Sequence, residues 1–337
     1  MKSLKGQNIL FLSPQFFGYE KKIKKALEDL GGYVIWHDER PSNSFFSKVF
    51  IRLNFKFLIG QRIKNHYDRI IKETENIKFD YIFLVNPETI THSIFKNFKN
   101  KNPQAEFLTY MWDSVKNKKK SNFMLPLVDR FFTFDARDRA IDSKIEFLPL
   151  FFIEEFENQC GKGNFKEDKP YKTCFFGTVH SDRYPVVTEI SNQIRKKGFK
   201  TYQFFYCPDR ILFKLKQITD KNFRVIERTD INFKPLNNNE ISKILDESDI
   251  VIDIEHPDQS GLTMRTIEML GADKKLITTN KEVVDYDFYN SSNICVVDRK
   301  DIRIPDEFLQ SDYQKVDEAI KMKYSLKNWL KIIFDLN

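Results

Sequence analysis

Short apolar runs alternate with charged, helix-spaced stretches along most of the chain. Strand-like runs stand at 8–13 (NILFLS), 32–37 (GYVIWH), 80–86 (DYIFLVN), 105–112 (AEFLTYMW), 130–134 (RFFTF) and 145–150 (IEFLPL). Between the first two, Ile23, Ala26, Leu27 and Leu30 recur at helical spacing and end at Gly31 and Gly32, where a helix is expected to stop. A β-α-β opening of this kind predicts an α/β protein with a parallel sheet and helices on both faces, hence a Rossmann-like domain. The polar, glycine-containing stretch 154–170 reads as a linker ending at Pro170. The alternation then restarts, with strand-like runs at 173–177, 201–206, 249–254, 275–279 and 294–298 and helical stretches at 184–197, 238–248 and 263–272. The organisation expected is therefore a first domain over 1–153, a linker over 154–170 and a second Rossmann-like domain over 171–312. A last helical segment over 313–337 would cross back to the first domain. Two such domains facing each other would leave a cleft at the carboxyl ends of their strands.

Composition narrows the class. In 337 residues, 41% are hydrophobic and 31% charged, as in ordinary folded proteins rather than disordered chains. The formal charge of +7 favours anionic partners without choosing among nucleotides, phosphates and membrane surfaces. Uncharged apolar stretches such as 148–153 are far short of the roughly 20 residues that span a bilayer, and the N-terminus lacks a leader pattern, so a cytoplasmic protein is expected. Residues 44–59 place Lys48, Arg52 and Lys56 on one helical face amid Phe, Ile and Leu. Such a helix either lies peripherally at a lipid interface or simply solvates its cations, the second being the commoner case. Cys160, Cys174, Cys207 and Cys295 are widely separated and no His or Cys pair has metal-ligand spacing, so neither disulfides nor structural zinc is expected.

Several chemistries lose their signature. No G-x-G-x-x-G follows the first strand, whose exit loop is SPQFFG (13–18), and there is no phosphate-binding G-x-x-x-x-G-K-[ST], no G-x-S-x-G and no kinase set. No RRM, KH or helix-turn-helix pattern supports nucleic acid. The informative segment is 258–272, DQSGLTMRTIEMLGA, directly after the buried-looking strand DIVIDI. Thr263 is a candidate N-cap, and Arg265 and Glu268 share a face near the helix start. Free N–H groups, an Arg and a carboxylate one turn on outline a nucleoside diphosphate site; an ordinary capped helix with an Arg–Glu pair fits the same residues equally well.

The run from Gln259 through GLTMRTIEMLGADKKLITTN to Asn280, together with FFGTVHSDRYPVV (175–187), resembles GT-B-fold glycosyltransferases of bacterial surface polysaccharide synthesis, including those related to the spore-maturation glycosyltransferases. The resemblance covers most of the second domain, and the first only through its general α/β order. It implies two Rossmann-like domains across a cleft and a Glu for the donor ribose at Glu268. Retaining members usually carry a second Glu eight residues earlier, where this chain has Ser260. Gly177, Thr178 and Arg183, at the strand-turn-helix of FFGTVHSDR, and Ser260, Gly261 and Arg265 would complete the grip on the donor. In the first domain, Asp113 of TYMWDSV follows a strand and could deprotonate an acceptor hydroxyl, or serve as a helix N-cap; Glu20, His37 and Glu88 are the fallback bases. Asp253 and Glu255 form a D-x-E that elsewhere holds a divalent cation, but a metal is not expected beside a ribose-binding helix of this kind. The reading implied is transfer of a sugar from a nucleotide-sugar donor, a UDP sugar most of all, to a glycan or lipid-linked glycan, with no cofactor required. The alternatives are a nucleotide-sugar epimerase of the same fold and a non-catalytic sugar-nucleotide-binding partner in polysaccharide assembly.

Overall fold

The computed structural model describes residues 2–42, 60–116, 118–160 and 169–336. The basic amphipathic stretch 44–59 lies outside the described residues.

In chain order the first part contains β1 (Asn8–Ser13), α1 (Tyr19–Asp29), β2 (Tyr33–Asp38), α2 (Gly60–Glu73), β3 (Tyr81–Val85), α3 (His92–Lys101), β4 (Glu106–Met111), β5 (Arg130–Thr133) and β6 (Ile145–Phe147). The second contains α4 (Glu154–Cys160), β7 (Tyr171–Thr178), α5 (Arg183–Lys196), β8 (Thr201–Tyr206), α6 (Arg210–Thr219), α7 (Lys221–Arg224), β9 (Ile231–Asn232), α8 (Asn238–Asp246), β10 (Ser248–Asp253), α9 (Met264–Gly271), β11 (Lys275–Thr278), β12 (Ile294–Val296), α10 (Asp306–Gln310), α11 (Glu318–Met322) and α12 (Leu326–Ile333). The strands form two six-stranded sheets, ordered β2-β1-β3-β4-β5-β6 and β12-β11-β10-β7-β8-β9, with every pairing parallel. Each is the doubly wound sheet expected from the alternation, and its central strands are apolar on both faces because helices cover both. Leu10, Leu12, Ile82, Leu84 and Phe107 meet Ile70 of α2 and Phe95 of α3 in the first core; Phe175, Ile250, Ile252 and Ile277 meet Ile190 of α5 in the second.

The chain divides into two compact units: one is formed by the residues up to Leu150 together with those from Leu326 onward, the other by Phe151–Ser325. Two features depart from the sequence reading. The supposed linker opens with α4, whose first turn holds Glu154, Glu155 and Glu157, acids that favour a helix N-terminus. The segment 313–334 is not one helix: α11 stops after Met322, the backbone of Phe152 donates to the Tyr324 carbonyl, and α12 starts afresh at Leu326. Trp329 of α12 then lies buried against Phe83 and Tyr110, while Arg130 donates to the Ile332 and Ile333 carbonyls at the helix end.

Candidate functional site

In the second unit the segments singled out by sequence meet at the carboxyl ends of β7 and β10. The start of α9 is fixed by a short relay of hydroxyls. The Thr263 side chain accepts the backbone N–H of Thr266 at 3.2 Å, as an N-cap should, and donates to Asp253 at the end of β10. Thr266 Oγ1 donates to the same Asp253 oxygen at 2.9 Å, so one buried carboxylate ties the helix start to the strand it follows. Asn280 Nδ2 donates to the carbonyls of Ser260 and Gly261 at 3.1 and 3.3 Å, which holds the intervening loop against the end of β11. At its other end α9 lies so close to Phe152 that a Cβ on Gly271 would sit 2.6 Å from that ring, which leaves room for glycine alone.

Glu268 is buried, with its carboxylate 2.7 Å from the Arg265 guanidinium, and that guanidinium stacks on Phe176 with its centre 3.9 Å from the ring centroid. The helical Arg–Glu pair therefore exists, and it is part of the link between α9 and β7. Gly177 and Thr178 close β7 beside it. A Cβ on Gly177 would come 3.3 Å from the Phe175 ring and 3.5 Å from Arg183 Nη1, a close approach that suits glycine.

Arg183, expected to help grip the donor, lies at the same strand end. It opens α5 as expected, but its guanidinium turns inward: Nε and Nη2 donate to the Ile254 carbonyl at 2.9 and 2.5 Å, and Nη1 to the Thr178 carbonyl at 2.8 Å. Burial pushes it down to about 10, against the opposing pull of Asp253 and Glu255. The guanidinium thereby clamps the turn after β7 to the loop after β10, its planar fork matching two backbone carbonyls. Arg299, which sequence reasoning missed, makes a parallel clamp to Asp182 at 2.6 Å and to the Glu255 carboxylate at 2.7 Å. Glu255 also accepts from Thr279. Asp253 and Glu255 are thus engaged with different partners, and among the described residues no group of His, Cys, Asp and Glu is arranged to hold a metal ion. His180, also missed, packs at 5.6 Å from His256; burial, then the charge of Arg183, pushes it down to about 3, so its imidazole is neutral.

At the carboxyl end of the first sheet, Asp113 follows β4. It caps no α-helix; its Oδ2 accepts from Asn86 at 3.2 Å and lies 3.3 Å from Lys118 Nζ, while the side chain remains over a third exposed. Of the fallback bases, Glu88 is paired with both Lys118 at 2.5 Å and Arg40 at 2.7 Å, charges that outweigh burial and hold its carboxyl below the usual range. Glu20 is buried and accepts the Phe16 backbone N–H, and burial lowers His37. Beside Asp113 stands an aromatic group whose members come from the SPQFFG loop and from TYMWDSV and which the sequence reading did not single out. Trp112 lies 5.3 Å from Phe16, and Phe17 is 71% exposed on a left-handed backbone (φ 49°) next to Gly18 (φ 85°). A bulky residue held there is strained, a condition commonest at functional loops.

These features define an α/β protein of two Rossmann-like units. No family model matches the chain, and no curated protein matches it by sequence. Solved structures do match. An alpha-glucosyltransferase in complex with UDP and a mismatch-containing DNA is similar over 98% of this chain and 96% of its own, at 12% identity and a TM-score of 0.62. Anabaena HepE in complex with UDP and glucose is similar over 98% of both chains, at 8% identity and a TM-score of 0.60. The UDP-GlcNAc 2-epimerase of Methanocaldococcus jannaschii, in complex with UDP-GlcNAc and UDP, is similar over 96% of this chain and 98% of its own, at 10% identity and a TM-score of 0.53. At these identities the likeness is one of fold, and the fold is GT-B.

Proposed function

We propose that this chain is a glycosyltransferase that moves a sugar from a nucleotide-sugar donor, a UDP sugar, to a hydroxyl of a surface-polysaccharide or lipid-linked glycan acceptor. The observation that carries the reading is the buried Glu268 on the second turn of α9, held by Arg265 beside the Gly177–Thr178 strand end, in a fold whose solved examples include UDP complexes. In this scheme Glu268 receives the ribose hydroxyls, and the first-turn N–H groups of α9 with the Gly261 and Gly177 backbone meet the diphosphate. Arg183 contributes by shaping that pocket rather than by touching the anion. Asp113 takes the acceptor proton, and positive charge with helix-end amides favours departure of the diphosphate, so the residues account for transfer without a metal or other cofactor.

The test is Glu268→Gln. Calorimetric UDP affinity is expected to fall by about 1–3 kcal/mol in a variant of unchanged fold, since a charged acceptor to the ribose is lost. Unchanged affinity would leave Glu268 as a structural partner of Arg265 only. Epimerisation is the second reading, favoured by the shared fold of a UDP-GlcNAc 2-epimerase. It predicts conversion of the sugar nucleotide with no acceptor present, which a transferase does not give.

A further inference from the structure

Helices α6 and α7 carry an outer face that the sugar-nucleotide reading does not use. Both are anchored from one side: Phe213 of α6, and Phe223 of α7 with the following Ile226, are buried in the core of the second unit. Asp209 caps α6 through the N–H groups of Ile211 and Leu212, and Asp220 caps α7 through that of Asn222, so both helices are pinned at their starts. On the opposite side stand Ile211 (69% exposed), Leu215 (55%), Ile218 (70%) and, just beyond α7, Val225 (60%). Steps of four and three put the first three residues in one stripe along α6. Isolated exposed aliphatics are ordinary; a row of them on one element is not.

Charge says what covers the row. Lys214 and Lys221 are exposed, as are Arg210, whose guanidinium lies 5.5 Å from the Phe233 ring, and Arg224, which donates to the Ile218 carbonyl; between 210 and 228 six Lys and Arg stand against two acids, Asp220 and Glu227. Asp220 is occupied as a cap, and Lys216 lies with its Nζ 4.6 Å from the Phe223 ring. Two copies of this chain meeting through the face would bring like cations together. An anionic bilayer surface instead offers an apolar layer for the aliphatic row and headgroup phosphates for its rim.

We propose that the outer face of α6 and α7 is a docking surface for an anionic lipid membrane, with Ile211, Leu215 and Ile218 entering the interface and the surrounding Lys and Arg meeting headgroups. Among the described residues no helix is long and apolar enough to cross a membrane; the attachment proposed is peripheral, through this surface. It stands on this surface alone and does not depend on the glycosyl-transfer reading.

The experiment is sedimentation of the full chain with phosphatidylcholine vesicles, with and without about 30% phosphatidylglycerol, at low and at high salt. Binding to the anionic vesicles, weakened by salt and near zero on the neutral ones, is expected. The triple variant Ile211→Ser, Leu215→Ser, Ile218→Ser and the double variant Lys214→Glu, Lys221→Glu should each lose about tenfold or more in affinity. Both change exposed positions only, and circular dichroism melting checks that each is folded. No binding by the unsubstituted chain, or equal binding by the folded triple variant, would overturn the proposal. So would a dimer of the unsubstituted chain that the triple variant converts to monomer, because a second copy would then own the face.

Discussion

Asp113 and its neighbours show how much one carboxylate's role depends on what the chain places around it. Asn86 donates to it from a left-handed backbone (φ 45°), and Lys118 bridges it to Glu88. Asp113 and Glu88 together hold the Lys118 ammonium above its usual range despite its burial, so the lysine stays charged beside the proposed base. Asp113→Asn keeps the shape and can still accept from Asn86, but gives no useful proton acceptor. Turnover with an identified acceptor is expected to fall by about 10²- to 10⁴-fold, with calorimetric UDP affinity nearly unchanged because the proposed ribose and diphosphate contacts belong to the other unit. Near-normal turnover would remove the base assignment. The same residues mark what sequence could reveal. Thr263 as a cap and the Arg265–Glu268 pair follow from spacing on one helix, since neighbours three apart must share a face. The inward turn of Arg183 toward a carbonyl at Ile254, and the pairing of Arg299 with Asp182 and Glu255, join positions distant in sequence through long side chains, and no local pattern encodes them.

At the scale of elements, Glu39 explains how the ends of β2 and β3 and the middle of α2 are joined. Fully buried, it accepts from the Thr89 backbone at 2.8 Å and from Thr89 Oγ1 at 2.8 Å, with Tyr67 of α2 also in reach at 3.3 Å. Burial, with the nearby Glu88 charge, raises its carboxyl to about 6. The folded state therefore binds the proton more tightly than the unfolded chain does. The stability this contributes is present below the unfolded value of about 4.5 and is lost as pH rises through about 6. Relative to Glu39→Gln, which cannot titrate, the unsubstituted chain should lose roughly 2 kcal/mol between pH 4 and 7.5 in urea unfolding. A constant difference across that window would show that Glu39 does not titrate there. Apart from the two-residue β9, the strands were legible to within a few residues, because apolar runs covered on both faces leave little choice of structure. Strand β6 is shorter than its apolar run: the Leu148 N–H still reaches the Thr133 carbonyl, and Pro149, tolerated on an edge strand, stands just past the end of the ladder. Helices α6 and α7 were not foreseen, although Ile211, Leu215 and Ile218 recur at helical spacing along α6; α7 is a single turn, too short to show a period.

At the scale of the molecule, the chain builds its first unit from both of its ends and its second from the middle. Each has its own parallel sheet and buried core, so ligand binding and core substitutions can be assigned to one unit or the other. Trp329 is the largest fully buried side chain and packs on Phe83 at 5.9 Å and Tyr110 at 4.7 Å between ring centroids, all in the first unit. Trp329→Ala should cost about 3–5 kcal/mol by the cavity it opens, and that cost belongs to the first unit's unfolding. UDP, held as proposed through Glu268, Gly177 and Gly261, should instead stabilise the second unit, by about 2.7 kcal/mol at a hundred times its Kd. Scanning calorimetry is expected to resolve two transitions, one lowered by Trp329→Ala and the other raised by UDP in both the substituted and unsubstituted chains. If UDP raised the transition that Trp329→Ala lowers and left the other in place, the nucleotide would bind the first unit, and the donor site would have to be sought beside Asp113 and Trp112 instead of at α9.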